Sequence, residues 1–181
     1  LRQAAPATVW QPYKLQSRGM MSRAAALAAM VVITCAAAVF AGEEPKVLLS
    51  VRMEGAAEPS AQYTIADLRA LDPVTFETET IWTTGPQQFT GVPLTVLMER
   101  MGVSGGQLVA HAVNNYSVEI PVSDAVVGGP IVAFERNGAE MSLRNKGPLW
   151  VVYPYDSNPD YRTEEVYSRS IWQLDRIVIR P

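Results

Sequence analysis

Phe89-Thr90-Gly91-Val92-Pro93-Leu94 is the stretch on which the fold turns. Residues 87–90 read as a strand. Pro93 is expected to open a helix at its first position, where the missing N–H costs nothing. Leu94, Leu97, Met98 and Met101 then fall on one helical face, and Gly102 is a natural stop. A strand running directly into a short amphipathic helix is a packing unit that needs a sheet beneath it.

Strand-like segments surround this unit. Upstream, Val47-Leu48-Leu49-Ser50-Val51-Arg52-Met53 is rich in apolar and β-branched residues, and residues 74–81 begin by alternating apolar and polar. Between them Thr64 and Asp67 form a capping-box pattern ahead of a helix over residues 65–71, with Asp72-Pro73 ending it. Downstream, residues 108–113 and 116–121 flank an Asn114-Asn115 turn, and Ser123 is expected to cap a short helical turn. Residues 131–135 lead into Asn137-Gly138, a hairpin signal. Leu149-Trp150-Val151-Val152-Tyr153 is almost wholly apolar, which predicts a central strand covered on both faces. Residues 154–165 read as a long polar loop, and residues 177–179 as a closing strand. Short helices among many strands predict an α+β domain with a mixed β-sheet.

The first 41 residues are set apart from this pattern. Arg23 precedes an apolar run over residues 24–41 that ends in Val39-Phe40-Ala41, the layout of an export signal. Cleavage is expected after Ala41. A retained anchor and a lipoprotein modified at Cys35 are the other readings. Residues 1–19 lack a periodic apolar pattern, and translation is expected to start at Met20 or Met21. Residues 42–181 are then one domain, periplasmic or otherwise exported, with no membrane contact after signal cleavage.

All eighteen acids and eleven of the fifteen basic residues follow Gly42, leaving a net charge of −7 there. An acidic chain without a basic stripe excludes nucleic acid and anionic membrane surfaces as expected partners. The single cysteine, Cys35, lies in the apolar run, so disulfides contribute nothing after it.

Five phrases in order resemble the molybdopterin-binding domain of the sulfite oxidase family. They are Phe89 to Leu94; Tyr116 to Ala125 with Pro121 and Asp124; Val132-Ala133-Phe134-Glu135-Arg136-Asn137-Gly138; Gly147 to Pro154; and Arg169-Ser170-Ile171 with Leu174 and Arg176-Ile177. The resemblance runs from about residue 64 to 179 and implies that family's fold. In active members a cysteine thiolate upstream of the Gly-Val-Pro-Leu phrase binds molybdenum. Here that stretch, residues 75–82, offers Thr, Glu, Ile, Phe and Trp. A hard oxygen of Glu77 or Glu79 is a poor substitute for a soft thiolate. Where the family often carries Lys then Trp after its Arg-Ser pair, this chain has Trp172 and Gln173.

Candidate site residues follow. Ser168, Arg169 and Ser170 combine a guanidinium fork with hydroxyls, suited to oxyanions. The resemblance places Lys146 in a second loop near the cofactor, so these residues form a candidate anion or pterin pocket. His111, the only histidine, rules out a histidine-based metal cluster and is either a single proton donor in that pocket or a structural residue. Tyr153, Tyr155, Tyr161 and Tyr167 with Trp150 and Trp172 either pack a loop or line a pocket. Asp156, Asp160, Glu164 and Glu165 fit no EF-hand spacing. The expected function is a non-catalytic binding module for a small anionic ligand or a periplasmic protein partner, with no catalytic residue, metal or bound cofactor. The alternative is a molybdopterin-dependent oxidoreductase with no cysteine on the metal.

Overall fold

The computed structural model describes residues 45–181, so the export signal, Cys35 and the start at Met20 or Met21 lie outside the described residues. Two sheets carry the architecture. The first has the order β2-β1-β10-β5-β6, built from β1 (Val47–Met53), β2 (Ala61–Thr64), β5 (Gln107–Ala112), β6 (Ser117–Pro121) and β10 (Leu174–Arg180). It is mixed: β1 and β10 run parallel, with Val51 opposite Ile177, and every other pair is antiparallel. The second sheet, wholly antiparallel, has the order β3-β4-β7-β8, from β3 (Val74–Thr78), β4 (Gln87–Pro93), β7 (Ile131–Arg136) and β8 (Ala139–Glu140). Strand β9 (Trp150–Val152) also pairs with β7. The α+β class expected from sequence is the one observed, with two sheets in place of one.

The local signals explain most elements. Thr64 caps α1 (Ile65–Arg69) with a complete capping box: Asp67 N–H donates to Thr64 Oγ1 at 3.3 Å, and Thr64 N–H donates to Asp67 Oδ2 at 2.8 Å. The Thr64 hydroxyl, which donates to Asp67 Oδ2 at 2.7 Å, and then the Thr64 N–H hold the Asp67 carboxyl below its usual range. Helix α2 (Leu94–Met101) buries Leu94, Leu97 and Met98 and stops at Gly102, whose φ of 66° is left-handed. Pro93 is the N-cap and ends β4, one position before the expected helical site. Gly91 is required by close approach: a Cβ there would lie 2.3 Å from the Val132 carbonyl oxygen. The β7–β8 hairpin turns through Asn137 and Gly138, both at positive φ.

Three expectations need correction. Ser123 lies inside the 3-10 turn Val122–Asp124, whose N-cap is Pro121, because the chain enters that turn straight from β6. Residues 154–165 are not all loop, since Thr163 accepts from Val166 N–H and starts α3 (Glu164–Arg169). Strand β9 is fully buried yet is not central: within its sheet it bonds only β7. Its outer edge is covered instead by residues 171–174. Val151 N–H donates to Ile171 O at 2.9 Å, Leu174 N–H donates to Leu149 O at 3.0 Å, and Trp150 bridges Trp172. This seam joins the two sheets, because the same residues lead into β10. Leu49, Val51, Ile177 and Ile179 of the first sheet share one buried core with Phe89, Val92, Val132 and Val151 of the second.

Candidate functional site

The seam is one wall of a cleft of about 500 Å³. Ile81 and Trp82 enter it from the β3–β4 loop, Asn114 and Tyr116 from the β5–β6 hairpin, and Glu164, Tyr167 and Ser168 from α3. Ile171, Trp172 and Gln173 belong to the seam itself.

The β3–β4 loop is pinned before it reaches the cleft. Asp156 accepts from Glu79 N–H at 2.7 Å and from Thr78 Oγ1 at 3.2 Å, and pairs with Arg162. The Glu79 N–H is the main reason the Asp156 carboxyl lies below its usual range. Thr80 and Thr83 share a hydroxyl bond at 2.8 Å, closing the turn that presents Trp82.

Trp82 is the hub of the aromatic set. Its ring stands edge-on to Trp172 at 5.7 Å, Tyr167 at 5.8 Å, Trp150 at 5.9 Å and Tyr155 at 6.4 Å. Interplanar angles of 69° to Trp172 and 87° to Tyr167 make walls that meet at corners, a geometry aromatic quadrupoles favour. Behind them Phe89 packs edge-on to Trp150 at 5.3 Å.

The expected site residues divide among several places. Ser168 and Ser170 line the cleft, but the Ser170 side chain is buried and bonds the Tyr155 hydroxyl. Arg169 does not line it. Arg169 Nη1 donates to Asp124 Oδ2 at 2.8 Å, and Nη2 pairs with Glu165. The Tyr153 hydroxyl donates to the same Asp124 oxygen at 2.7 Å. Burial, and then the Asp124 carboxylate, push the pKa of the Tyr153 phenol well up, so it stays a donor. Lys146 Nζ lies 3.9 Å from the Trp172 ring centroid and 5.5 Å from that of Trp150. Its pKa is lowered, first by desolvation and then by Arg136.

His111 is elsewhere. It lines a second hollow, on the face of the first sheet with Arg52, Glu119 and Arg180. Desolvation, then Arg176, lowers its pKa. Sequence reasoning missed Trp82, Asn114, Tyr116 and Gln173 as cleft residues. The one usable signal was that Trp82 ends the stretch where the resembled family keeps its cysteine.

The family model for the oxidoreductase molybdopterin-binding domain matches residues 41–156, and the chain belongs to that family. A comparison with curated proteins found no match. The family match ends before α3 and the seam, so those cleft walls lie beyond it.

The residues present do not fit the family's metal. Cys35 is the only cysteine and precedes the described residues, so no thiolate is available from residues 45–181. Among the described residues no group of three His, Cys, Asp or Glu side chains is placed to hold a metal ion. The cleft offers indole, phenol, amide, hydroxyl and one carboxylate, a donor set without the soft ligand that molybdenum chemistry of this type uses.

Proposed function

We propose that this domain is a non-catalytic binding module that takes a flat, metal-free heterocycle of the pterin class against the cleft wall formed by Trp82, Tyr167 and Trp172. One observation carries the reading: a cleft walled by aromatic rings whose single charged lining residue is a carboxylate, Glu164. A pterin ring is what remains of the family's ligand when metal and phosphate are removed. Aromatic walls supply apolar area at low entropy cost, and amides and hydroxyls at the rim fix orientation.

The charge of the cleft favours a neutral ring over the small anion expected from sequence. The Arg169 fork is already occupied by Asp124 and Glu165. Glu164 would repel a phosphate. The oxidoreductase alternative keeps the family's chemistry but lacks its thiolate, and a metal held by pterin sulfur alone is a weaker arrangement.

Export supports the same role. Arg23 and the apolar run over residues 24–41 favour a domain that works in the periplasm or outside the cell. A protein partner is a second reading of the same mouth, favoured by Ile81 and Tyr116, which are 63% and 59% exposed there. A photo-crosslinker at position 81 in the native host tests it.

Titration with biopterin, read by tryptophan fluorescence, tests the main reading. Saturable quenching is expected, together with molybdenum below about one-tenth per chain in protein from the native host. Near-stoichiometric molybdenum would restore the oxidoreductase reading.

A further inference from the structure

We propose that the hollow on the solvent-facing side of the first sheet binds a small zwitterion of amino-acid size, with its carboxylate at Arg52 and its ammonium at Glu54 and Glu119. The hollow shares no lining residue with the aromatic cleft, so the two sites stand or fall separately.

Strand pairing builds the hollow. Val51, Ile177, Ala110 and Ile120 face the core, so the alternate residues of the same strands face outward. Across that outer face Arg52 stands opposite Val178, Val178 opposite Val109, and Val109 opposite Glu119. The two valines are each 7% exposed and form an apolar floor. Arg52 and Glu119 flank it, three strand spacings or about 14 Å apart at the backbone. Both line the hollow, whose volume is about 360 Å³, so the space between guanidinium and carboxylate is that of a small molecule.

The charges around the floor are divided. Arg180 Nε donates to Glu54 Oε1 at 2.7 Å, and its Nη1 donates to Glu119 Oε1 at 2.8 Å. One cation between two carboxylates leaves one negative charge in excess and the second oxygen of each glutamate open. Arg52 supplies the opposite charge. Among the described residues it has no carboxylate partner, and its side chain makes one long bond, 3.5 Å to Ala56 O. The His111 pKa is lowered, first by desolvation, so its ring is uncharged at neutral pH and the hollow is neutral overall. A neutral hollow with separated charge disfavours a simple anion or a simple cation, and it suits a ligand that is itself neutral and charge-separated. The guanidinium fork matches a carboxylate, and His111 and Ser117, paired across β5 and β6, add a ring N–H and a hydroxyl beside it. The valine floor takes a short alkyl group.

L-Valine, valinamide and N-acetylvaline form the test. His111, the only histidine of the chain, is the reporter through its imidazole proton resonances. Valinamide lacks the carboxylate, and N-acetylvaline lacks the ammonium. L-Valine is expected to shift the His111 resonances saturably, with half-saturation at about 1 mM. Each analogue is expected to bind at least about fivefold more weakly. Arg52→Gln and Glu119→Gln, both at exposed positions and with folding checked by circular dichroism, are each expected to weaken valine by a similar factor. N-acetylvaline binding as tightly as valine would overturn the zwitterion in favour of a plain carboxylate, and valinamide binding as tightly would overturn it in favour of a plain cation. A titration without a saturable shift, or an unchanged valine affinity in either variant, would overturn the site.

Discussion

Asp124 and Arg169 meet at 2.8 Å with both side chains mostly out of solvent, and this ion pair holds α3 against the turn that follows β6. The same carboxylate oxygen also accepts the Tyr153 hydroxyl, so one acceptor serves a cation and a buried phenol.

Asp124→Ala should therefore leave two donors without a partner. We expect a loss of about 2 kcal/mol, between a surface ion pair and a fully buried one. Asp124→Asn, which keeps an acceptor but not the charge, should lose less. Urea denaturation of both variants checks the order. Equal losses would show that the charge contributes nothing.

Trp82→Ala removes the hub of five rings. Expected outcomes are loss of biopterin quenching and a stability decrease of about 2–4 kcal/mol, since the site is half-buried and cannot collapse fully. Trp82→Phe should recover most of the stability. Quenching by biopterin that survives in the alanine variant would place the ligand elsewhere.

Val151 is 1% exposed, flanked by Val132 on β7 and by Ile171 on the seam. Val151→Asp would bury an unpaired charge, which typically costs several kcal/mol. Thermal melting should show a destabilised or unfolded protein. An unchanged melting temperature would mean that the seam opens readily.

The legible part of this fold was whatever a local signal could carry. The capping box at Thr64 and Asp67, the apolar stripe of α2 and the Asn137-Gly138 turn each specify their element within a few residues, and each is observed. Helix α3 was not legible, because only Val166 is buried in its six residues and no periodic face exists to read. Strand β2 has four residues and one buried side chain, Tyr63. The apolar run at β9 correctly announced burial, but burial by a neighbouring strand and burial by a crossing seam leave the same sequence pattern. The site was less legible still. Arg169 looks like an anion ligand in sequence, and its carboxylate partner Asp124 lies 45 residues away. Asn114, Glu164 and Trp82 are drawn together only by tertiary contacts.

His111 gives the fold a pH dependence of stated sign. Burial and the cations Arg176, Arg52 and Arg180 depress its folded pKa, and Asp175 opposes them. The unfolded chain, with an ordinary value near about 6.5, binds the proton more readily. Stability is then full above that value and is lost as pH falls towards the folded pKa, since the unfolded state holds more protons in that window. His111→Gln should flatten the slope of stability against pH just below about 6.5. An identical slope in the variant would assign the effect to other groups.

Strand β10 lies between β1 and β5 in the first sheet, and the four residues before and at its start seal β9 in the second. Neither sheet is complete until residues 171–180 are in place. A chain without residues 173–180 thus lacks both a continuous first sheet and a closed second one. Chains stopped at residue 172 should show a disordered near-ultraviolet signal where the full chain shows a sharp one. One short segment thus ties the two sheets into a single cooperative unit, and they are expected to melt together.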